Sequence, residues 1–254
     1  EHNLTFVCAP MVHWPEVMVA YESSEKVLFA ADAFGKFGAI SKYDGDWACE
    51  ARRYYFNICG KYGVQVQSLL KKAAALDIKT IAPLHGPVLK ENLGYYLDLY
   101  NTWSSYGVES EGVLVAFASI HGNTRKAAEK IASILEKQGA KKVVVSDLSR
   151  DDEAEVIEDA FRYGRMIIAA PTYDGGLFPP MESFLSHLKS KNYQKRTVGI
   201  IENGTWAPMS GKLMKAALES MKEIKICDTV VTIKSALKAE QEDSLVALAK
   251  EVLA

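Results

Sequence analysis

The chain has 254 residues, a formal net charge of −2, 24% charged residues and 48% hydrophobic residues, which is the composition of a globular protein and excludes disordered and fibrous classes. Its 30 basic and 32 acidic residues create no global field that would attract nucleic acid or an anionic lipid surface. No apolar run approaches the ~18 residues of a membrane span. We therefore expect no nucleic-acid partner and no membrane association.

The cysteines and the first residues indicate the setting of the protein. Cys8, Cys49, Cys59 and Cys227 are widely spaced and form no C-x-x-C pair, so we expect buried thiols and a reducing, cytoplasmic location. The chain opens without the basic and apolar segments of a signal peptide. It begins with Glu1 rather than Met, and residues 4–9 already have the composition of a strand, so it reads as a piece of a longer or processed protein.

The second half alternates between strand and helix five times. Continuous apolar runs predict buried parallel strands, and helical spacing follows each of them. Such an alternation predicts an α/β doubly wound sheet with right-handed crossovers. The predicted strands are 113–118, 143–146, 166–170, 197–201 and 229–233, and the helices are 124–138, 153–164, 180–189, 210–221 and a last one through Leu245 and Val252.

The first half is less regular but also combines strands and helices. A stretch rich in Ser, Tyr and Gly at 104–107 places the boundary near residue 108, so we predict domains 1–108 and 109–254. Aromatic residues at 53–56 and 95–103 are interpreted as packing or subunit contacts. The predicted strands are 4–9, 17–21, 27–31 and 78–83, the helices are 47–60, 64–76 and 91–106, and residues 32–46 form a loop.

A phosphate-binding loop is the strongest local signal. The segment Ser119-Ile120-His121-Gly122-Asn123-Thr124 joins the first buried strand of the second half to its helix. Small hydroxyl residues, Gly and Asn at a helix N-terminus form a nest of N–H groups that suits a phosphate monoester. The absence of G-x-G-x-x-G and of a Walker lysine disfavours dinucleotides and nucleoside triphosphates.

Two further loops follow the next strands of this half. They are Pro171-Thr172-Tyr173-Asp174-Gly175-Gly176 and Glu202-Asn203-Gly204-Thr205-Trp206-Ala207-Pro208. Open α/β sheets bind ligands at the carboxyl ends of their strands, where these loops lie. Tyr173 and Trp206 could sandwich a planar ring between them.

Three potential metal ligands follow strands of the first half. His13, Asp32 and His85 each stand just beyond an apolar run and beside turn residues. Imidazole and carboxylate are ligands that iron, zinc and manganese accept. Pattern alone leaves turn capping and ordinary loop histidines as alternatives.

Residues 111–254 resemble a flavodoxin through their three loops. The resemblance implies that Ser119, His121, Gly122, Asn123 and Thr124 hold the phosphate of FMN, with His121 where flavodoxins often have Thr. It also implies a set of residues around the isoalloxazine ring. This set is Pro171, Thr172, Tyr173, Asp174, Gly175, Gly176, Asn203, Gly204, Thr205, Trp206 and Ala207.

The whole chain resembles flavodiiron proteins, also called A-type flavoproteins. The segments around His13, Asp32 and His85 are similar to the later part of a metallo-β-lactamase-like domain, which in that family directly precedes a flavodoxin domain. The resemblance implies that His13 and His85 are iron ligands and that Asp32 bridges two irons. The family's His-x-Glu-x-Asp-His segment, which supplies the other ligands, is absent from this chain, and Phe37 stands near a place where many members have a polar or His residue.

The resemblance also implies an activity and partners. Electrons from a rubredoxin-like or NAD(P)H-linked donor would pass through FMN to a non-haem diiron centre that reduces dioxygen to water, nitric oxide to nitrous oxide, or both. A head-to-tail homodimer or a dimer of dimers would bring Trp206 close to the partner's iron site. The alternatives are an FMN electron carrier without a working metal site, a zinc hydrolase of the metallo-β-lactamase type, and a non-catalytic flavin sensor.

Overall fold

A computed structural model describes residues 1–42 and 45–254. Tyr43 and Asp44, within the predicted loop 32–46, lie outside the described residues. The chain divides into two compact units, Glu1–Gly107 and Val108–Ala254. No helix among the described residues is both long enough and apolar enough to cross a membrane.

In its described residues, 1–42 and 45–107, the first unit contains a four-stranded sheet and three α-helices. Its strands run in the order β1-β2-β3-β4, with antiparallel β1–β2 and β2–β3 pairs and a parallel β3–β4 pair. Consequently β1, β3 and β4 all end at the same edge of the sheet. The elements are β1 (Leu4–Cys8), β2 (Met18–Glu22), β3 (Val27–Phe29), α1 (Ala48–Ile58), α2 (Gly63–Ala73), β4 (Thr80–Ala82) and α3 (Leu93–Ser104).

Aromatic side chains form much of the core of the first unit. The rings of Trp47 and Trp103 are stacked 5.8 Å apart, and Tyr55 packs against Tyr100 with ring centroids 5.3 Å apart. All four side chains are buried, so Tyr55, Tyr100 and Trp103 of the aromatic runs in α1 and α3 are packing residues.

The second unit is a doubly wound α/β sheet. Five parallel strands run in the order β10-β9-β7-β5-β6, and short β8 pairs with β7 in the antiparallel direction. The predicted α/β class with five parallel strands is confirmed. The elements are β5 (Ser110–Phe117), α4 (Asn123–Lys137), β6 (Val143–Asp147), α5 (Glu153–Arg162), β7 (Tyr163–Tyr173), β8 (Gly176–Leu177), α6 (Pro179–Ser190), β9 (Gln194–Asn203), α7 (Ser210–Glu219), β10 (Lys222–Ile233) and α8 (Glu242–Leu253).

The topology places a crevice at the carboxyl ends of β5 and β7. β6, which follows β5 in the chain, lies on one side of β5. The later strands β7, β9 and β10 lie on the other side, so the strand order reverses at β5. Open α/β sheets bind ligands at such a switch point. The helices lie close to the strands: a Cβ at Gly199 of β9 would come within 2.9 Å of the Leu248 side chain in α8.

Candidate functional site

The phosphate loop and the loops after β7, β9 and β10 surround one pocket in the second unit. Its volume is about 170 Å³. It lies at the carboxyl edge of the sheet, where the topology predicts a ligand. The lining residues are Ser119, Ile120, His121, Asn123, Thr124, Pro171, Thr172, Asn203, Gly204, Thr205 and Ser235.

The N-terminus of α4 opens into this pocket without a side-chain cap. Gly122 stands at the N-cap position with φ +84°, and its N–H donates to Ser119 Oγ at 3.0 Å. Within residues 1–42 and 45–254, no protein acceptor takes a hydrogen bond from the backbone N–H groups of Asn123 or Thr124. These donors and the helix dipole suit an anion.

The N-terminus of α7, by contrast, is capped by neighbouring side chains. Thr172 Oγ1 accepts from the N–H groups of Met209 and Ser210 at 2.8 and 3.1 Å. Glu202 Oε2 accepts from Gly211 N–H at 2.9 Å. Only α4 of these two helices therefore presents unsatisfied donors to the crevice.

The predicted ring-binding residues divide between the pocket and its surroundings. Asp174 and Gly175, both with positive φ, form a two-residue hairpin turn between Tyr173 of β7 and Gly176 of β8. Tyr173 is half-exposed and packs against Phe178, with ring centroids 5.5 Å apart, and Trp206 is 91% exposed. The predicted residues that do not line the pocket are Gly122, Tyr173, Asp174, Gly175, Gly176, Trp206 and Ala207.

The size of the pocket limits what it can enclose. Its volume of about 170 Å³ is below the ~300–1,000 Å³ typical of pockets that enclose a whole small ligand. It can enclose a phosphate and part of a polyol chain, and a flavin ring would extend over the rim. Tyr173, at the end of β7, and Trp206, in the loop after β9, are exposed in segments that also contribute residues to the pocket.

Ser235 lines the pocket although no sequence motif predicted it as a site residue. It follows β10 in a segment without the Gly-rich pattern that marks the other loops. Its backbone is held by Asn203: Asn203 Oδ1 accepts from Ser235 N–H, and Asn203 Nδ2 donates to Ser235 O, both at 3.0 Å. A fourth loop thus completes the wall of the pocket.

In the first unit, His13, Asp32 and His85 meet at one edge of the sheet. Asp32 Oδ2 lies 3.6 Å from His13 Nε2, and Asp32 Oδ1 lies 3.4 Å from His85 Nε2. Each carboxylate oxygen therefore faces one imidazole, and the carboxylate is largely buried while His85 is half-exposed. One carboxylate between two imidazoles is a donor set that suits iron or zinc.

Backbone hydrogen bonds and left-handed residues hold the three ligand loops. Lys36 N–H donates to His85 O at 3.3 Å, and Leu84 N–H donates to Ala31 O at 2.8 Å, which ties the loops after β3 and β4 together. Met11, Ala31 and Phe34, close to the candidate ligands, have φ between +49° and +65°. Such conformations are costly for residues with side chains and concentrate at functional sites.

Tyr54 of α1 also belongs to this cluster. Its ring centroid lies 6.5 Å from that of His13 and 5.9 Å from that of His85. Burial, and then the charge of Asp32 and a hydrogen bond to it, raise the pKa of the Tyr54 hydroxyl above its ordinary value. The helical spacing of 53–56 indicated only packing, because Asp32 and Tyr54 are far apart in sequence and adjacent only in the fold.

Phe37 covers one side of Tyr54. Its ring stands edge-on to that of Tyr54 at 5.1 Å, and the Arg53 guanidinium lies 5.2 Å from the Phe37 ring centroid. An apolar ring therefore occupies the position near which the family resemblance suggests a polar residue. It makes the surroundings of Tyr54 more apolar.

The metal-ligand set in this chain is incomplete by geometry. Across the described part of the chain, residues 1–42 and 45–254, no group of three or more His, Cys, Asp and Glu side chains is arranged to hold a metal ion. The two imidazoles approach the same carboxylate rather than one common point. A metal ion here would need further ligands.

The second unit is a flavodoxin-like α/β domain with an anion-binding crevice, and the first unit carries a carboxylate–imidazole cluster. Residues 114–235 match the Flavodoxin_5 family, described as a flavodoxin domain. The nitric oxide reductase of Moorella thermoacetica is 26% identical over the whole chain, which covers 65% of that protein.

Solved structures give the fold of the whole chain. The flavodiiron protein of Giardia intestinalis superimposes with a TM-score of 0.92 at 22% identity, over 100% of this chain and 65% of that one. The rubredoxin oxygen:oxidoreductase of Desulfovibrio gigas gives 0.91 at 23% identity, over 99% and 64%.

The chain is similar over its whole length to a named nitric oxide reductase, and it shares the fold of solved flavodiiron proteins. The chain spans only part of its curated relatives. It covers 65% of the nitric oxide reductase of Moorella thermoacetica and 43% of the anaerobic nitric oxide reductase flavorubredoxin of Vibrio vulnificus.

Proposed function

We propose that this chain is part of a flavodiiron oxidoreductase that binds FMN and a non-haem diiron centre. Electrons from a rubredoxin-like or NAD(P)H-linked donor would pass through FMN to the irons, where dioxygen is reduced to water, nitric oxide to nitrous oxide, or both. The uncapped N-terminus of α4 at a flavodoxin-type crevice carries this proposal, because it supplies donors for a phosphate monoester.

The chain's own residues have separate tasks in this proposal. Ser119, His121, Gly122, Asn123 and Thr124 would orient the phosphate, while Thr172 and the backbone at 203–205 border the polyol chain. The ring would rest on the β7–β8 hairpin and on the loop after β9, against Tyr173, Asp174, Gly175, Gly176, Trp206 and Ala207. FMN accepts electrons singly or in pairs, which is the redox chemistry that the protein positions and tunes.

His13, Asp32 and His85 would be metal ligands at the edge of the first sheet. Asp32 Oδ2 lies 3.6 Å from His13 Nε2 and Asp32 Oδ1 lies 3.4 Å from His85 Nε2, so the fold brings the three donor side chains together. Tyr54 would fix the carboxylate through its hydrogen bond to Asp32. The remaining ligands would come from outside this chain's sequence, and a head-to-tail dimer would place Trp206 close to the partner's metal.

A gas-consumption assay tests the oxidoreductase proposal. The protein would be loaded with FMN and ferrous iron without oxygen, reduced with a rubredoxin or NADH-linked donor, and then supplied with dioxygen or nitric oxide. The proposal predicts consumption of at least one gas, coupled to reoxidation of the flavin. Flavin reoxidation that is equally fast without iron would contradict it.

A second candidate is an FMN electron carrier whose first unit holds no working metal site. The incomplete donor geometry around Asp32 favours this alternative. The carrier would exchange electrons with a second redox protein at the same rate with and without iron. The oxidoreductase would show gas reduction that appears only after iron loading.

A further inference from the structure

The loop after β10 is tied to the phosphate loop by a short hydrogen-bond network. Asn203, at the end of β9, is 6% exposed and bonds both backbone groups of Ser235 at 3.0 Å. Asn203 Nδ2 also lies 3.3 Å from Thr124 Oγ1 in the first turn of α4. One buried amide thus connects two loops and a helix N-terminus.

Ser235 has an unusual backbone conformation for its residue type. Its φ is +68°, in the left-handed region that is unfavourable for a residue with a Cβ. The two hydrogen bonds from Asn203 are made to the N–H and the C=O of this same residue. Costly conformations of this kind persist only where the surroundings fix them.

The conformation aims the Ser235 hydroxyl at the N-terminus of α4. Asn123 Nδ2 donates to Ser235 Oγ at 3.2 Å, and Ser235 lines the same pocket as Ser119 and Thr124. A hydroxyl that accepts from Asn123 still has its own proton to donate. An anion held by α4 is an acceptor within that pocket.

We propose that Ser235 is a phosphate-binding residue and that Asn203 is the positioning residue that holds it against α4. This inference rests on the proposed binding of FMN and adds a fourth loop to its cradle. Because no Lys or Arg lines the pocket in the described part of the chain, selection of a phosphate monoester would come from oriented hydrogen bonds rather than from a paired cation.

Comparison of FMN with riboflavin, which lacks the phosphate, isolates this contribution. The flavin-free protein would be titrated with each compound by fluorescence quenching, and selectivity is the ratio of the two dissociation constants. Removal of one hydrogen bond to a charged group typically lowers binding affinity by roughly tenfold or more. We expect Ser235→Ala to lower the selectivity about tenfold, because the affinity for FMN falls while the affinity for riboflavin is unchanged.

Three further variants make the result specific. Ser235→Gly removes the hydroxyl while relieving the left-handed strain, so it should lose the same selectivity without loss of stability. Asn203→Asp keeps the shape but cannot donate to Ser235 O, and it adds a negative charge, so it should lower the selectivity further. Ser190→Ala, whose hydroxyl bonds His187 O at the end of α6, is the control that should match the wild type.

The outcomes separate the two levels of the proposal. Wild-type protein that binds neither flavin would refute FMN binding itself. Wild-type protein that prefers FMN, with the preference unchanged in both Ser235 variants, would overturn the assignment of Ser235. If those variants lost affinity for FMN and for riboflavin equally, Ser235 would have a general structural role, and the inference would also be overturned.

Discussion

The two candidate sites differ in how much of each one this chain supplies. In the second unit, four loops and a helix N-terminus form a cradle whose donors already point into one pocket. In the first unit, one carboxylate and two imidazoles meet, but they do not share a common point for a metal ion. A phosphate site built from consecutive backbone N–H groups is local in sequence, whereas a metal site draws single side chains from distant segments.

The largest expected effect falls on the first unit. Asp32→Asn keeps the shape of the side chain but removes the charge that lies between His13 and His85, so we expect iron affinity to fall at least about a hundredfold. Iron binding would be followed by calorimetry or by mass spectrometry of the bound metal. FMN affinity should be unchanged.

Glu91→Gln provides a matched control, because it removes an exposed carboxylate of the same unit. It should bind iron as the wild type does. Asp32→Asn protein with wild-type iron affinity would remove Asp32 from the metal site.

The next effect falls on the second unit. Gly122 has φ +84° with open space around an added Cβ, so Gly122→Ala should cost roughly 1–2 kcal/mol of unfolding free energy and disturb the first turn of α4. We expect FMN binding to weaken about tenfold.

The other end of α4 offers the control. Gly139 has φ +93° and equally open space, so Gly139→Ala should lose similar stability while FMN affinity is retained. An equal loss of FMN affinity in both variants would mean that helix stability, and not the N-terminal nest of N–H groups, governs FMN binding. Chemical denaturation and flavin titration measure the two quantities.

Two buried tyrosines test how the Asp32 loop is supported. Tyr100 Oη accepts from Phe34 N–H at 2.6 Å and its ring stacks on Phe34 at 4.2 Å, so Tyr100→Phe should cost about 1–3 kcal/mol of unfolding free energy. Tyr55 has a buried hydroxyl without a hydrogen-bond partner among the described residues, so Tyr55→Phe should be neutral or slightly stabilising. Urea denaturation followed by tryptophan fluorescence would compare them, and equal destabilisation would contradict the assigned role of Tyr100.

The smallest effect is a pH dependence of the first unit. N–H groups of Glu25 and Ser24 donate to Glu22 and lower its pKa to about 2 from an ordinary 4.5. Its stabilising contribution is therefore present above about pH 4.5 and is lost as the pH falls through about 2. Acid unfolding should be less steep in Glu22→Gln, and an identical pH profile would show that Glu22 titrates normally in the folded protein.

The sequence predicted the elements that carry a strong periodic pattern. The helix predicted at 124–138 is Asn123–Lys137, because apolar residues recur along one face and Gly139 ends it. The last strand was predicted at 229–233 but begins at Lys222, because charged residues alternate along its exposed start at the edge of the sheet. Hairpin strand β8 has only two residues and no pattern to detect.

The same distinction applies to the sites. The phosphate loop is visible in sequence because its residues are consecutive and their types favour a nest. Ser235 and Tyr54 were missed because each reaches its site only through strand order and helix packing. Trp206 was expected to cover the flavin ring. Its side chain is 91% exposed, so any group that packs against it would have to come from outside the pocket.

Flavin and iron content of the protein, purified from its natural source with any further segments that it carries, tests the central claim most directly. Released FMN would be measured by absorbance and iron by mass spectrometry of the metal, alongside the intact mass. The account predicts about one FMN and about two irons per chain. FMN without iron would contradict the diiron assignment and leave a flavin electron carrier.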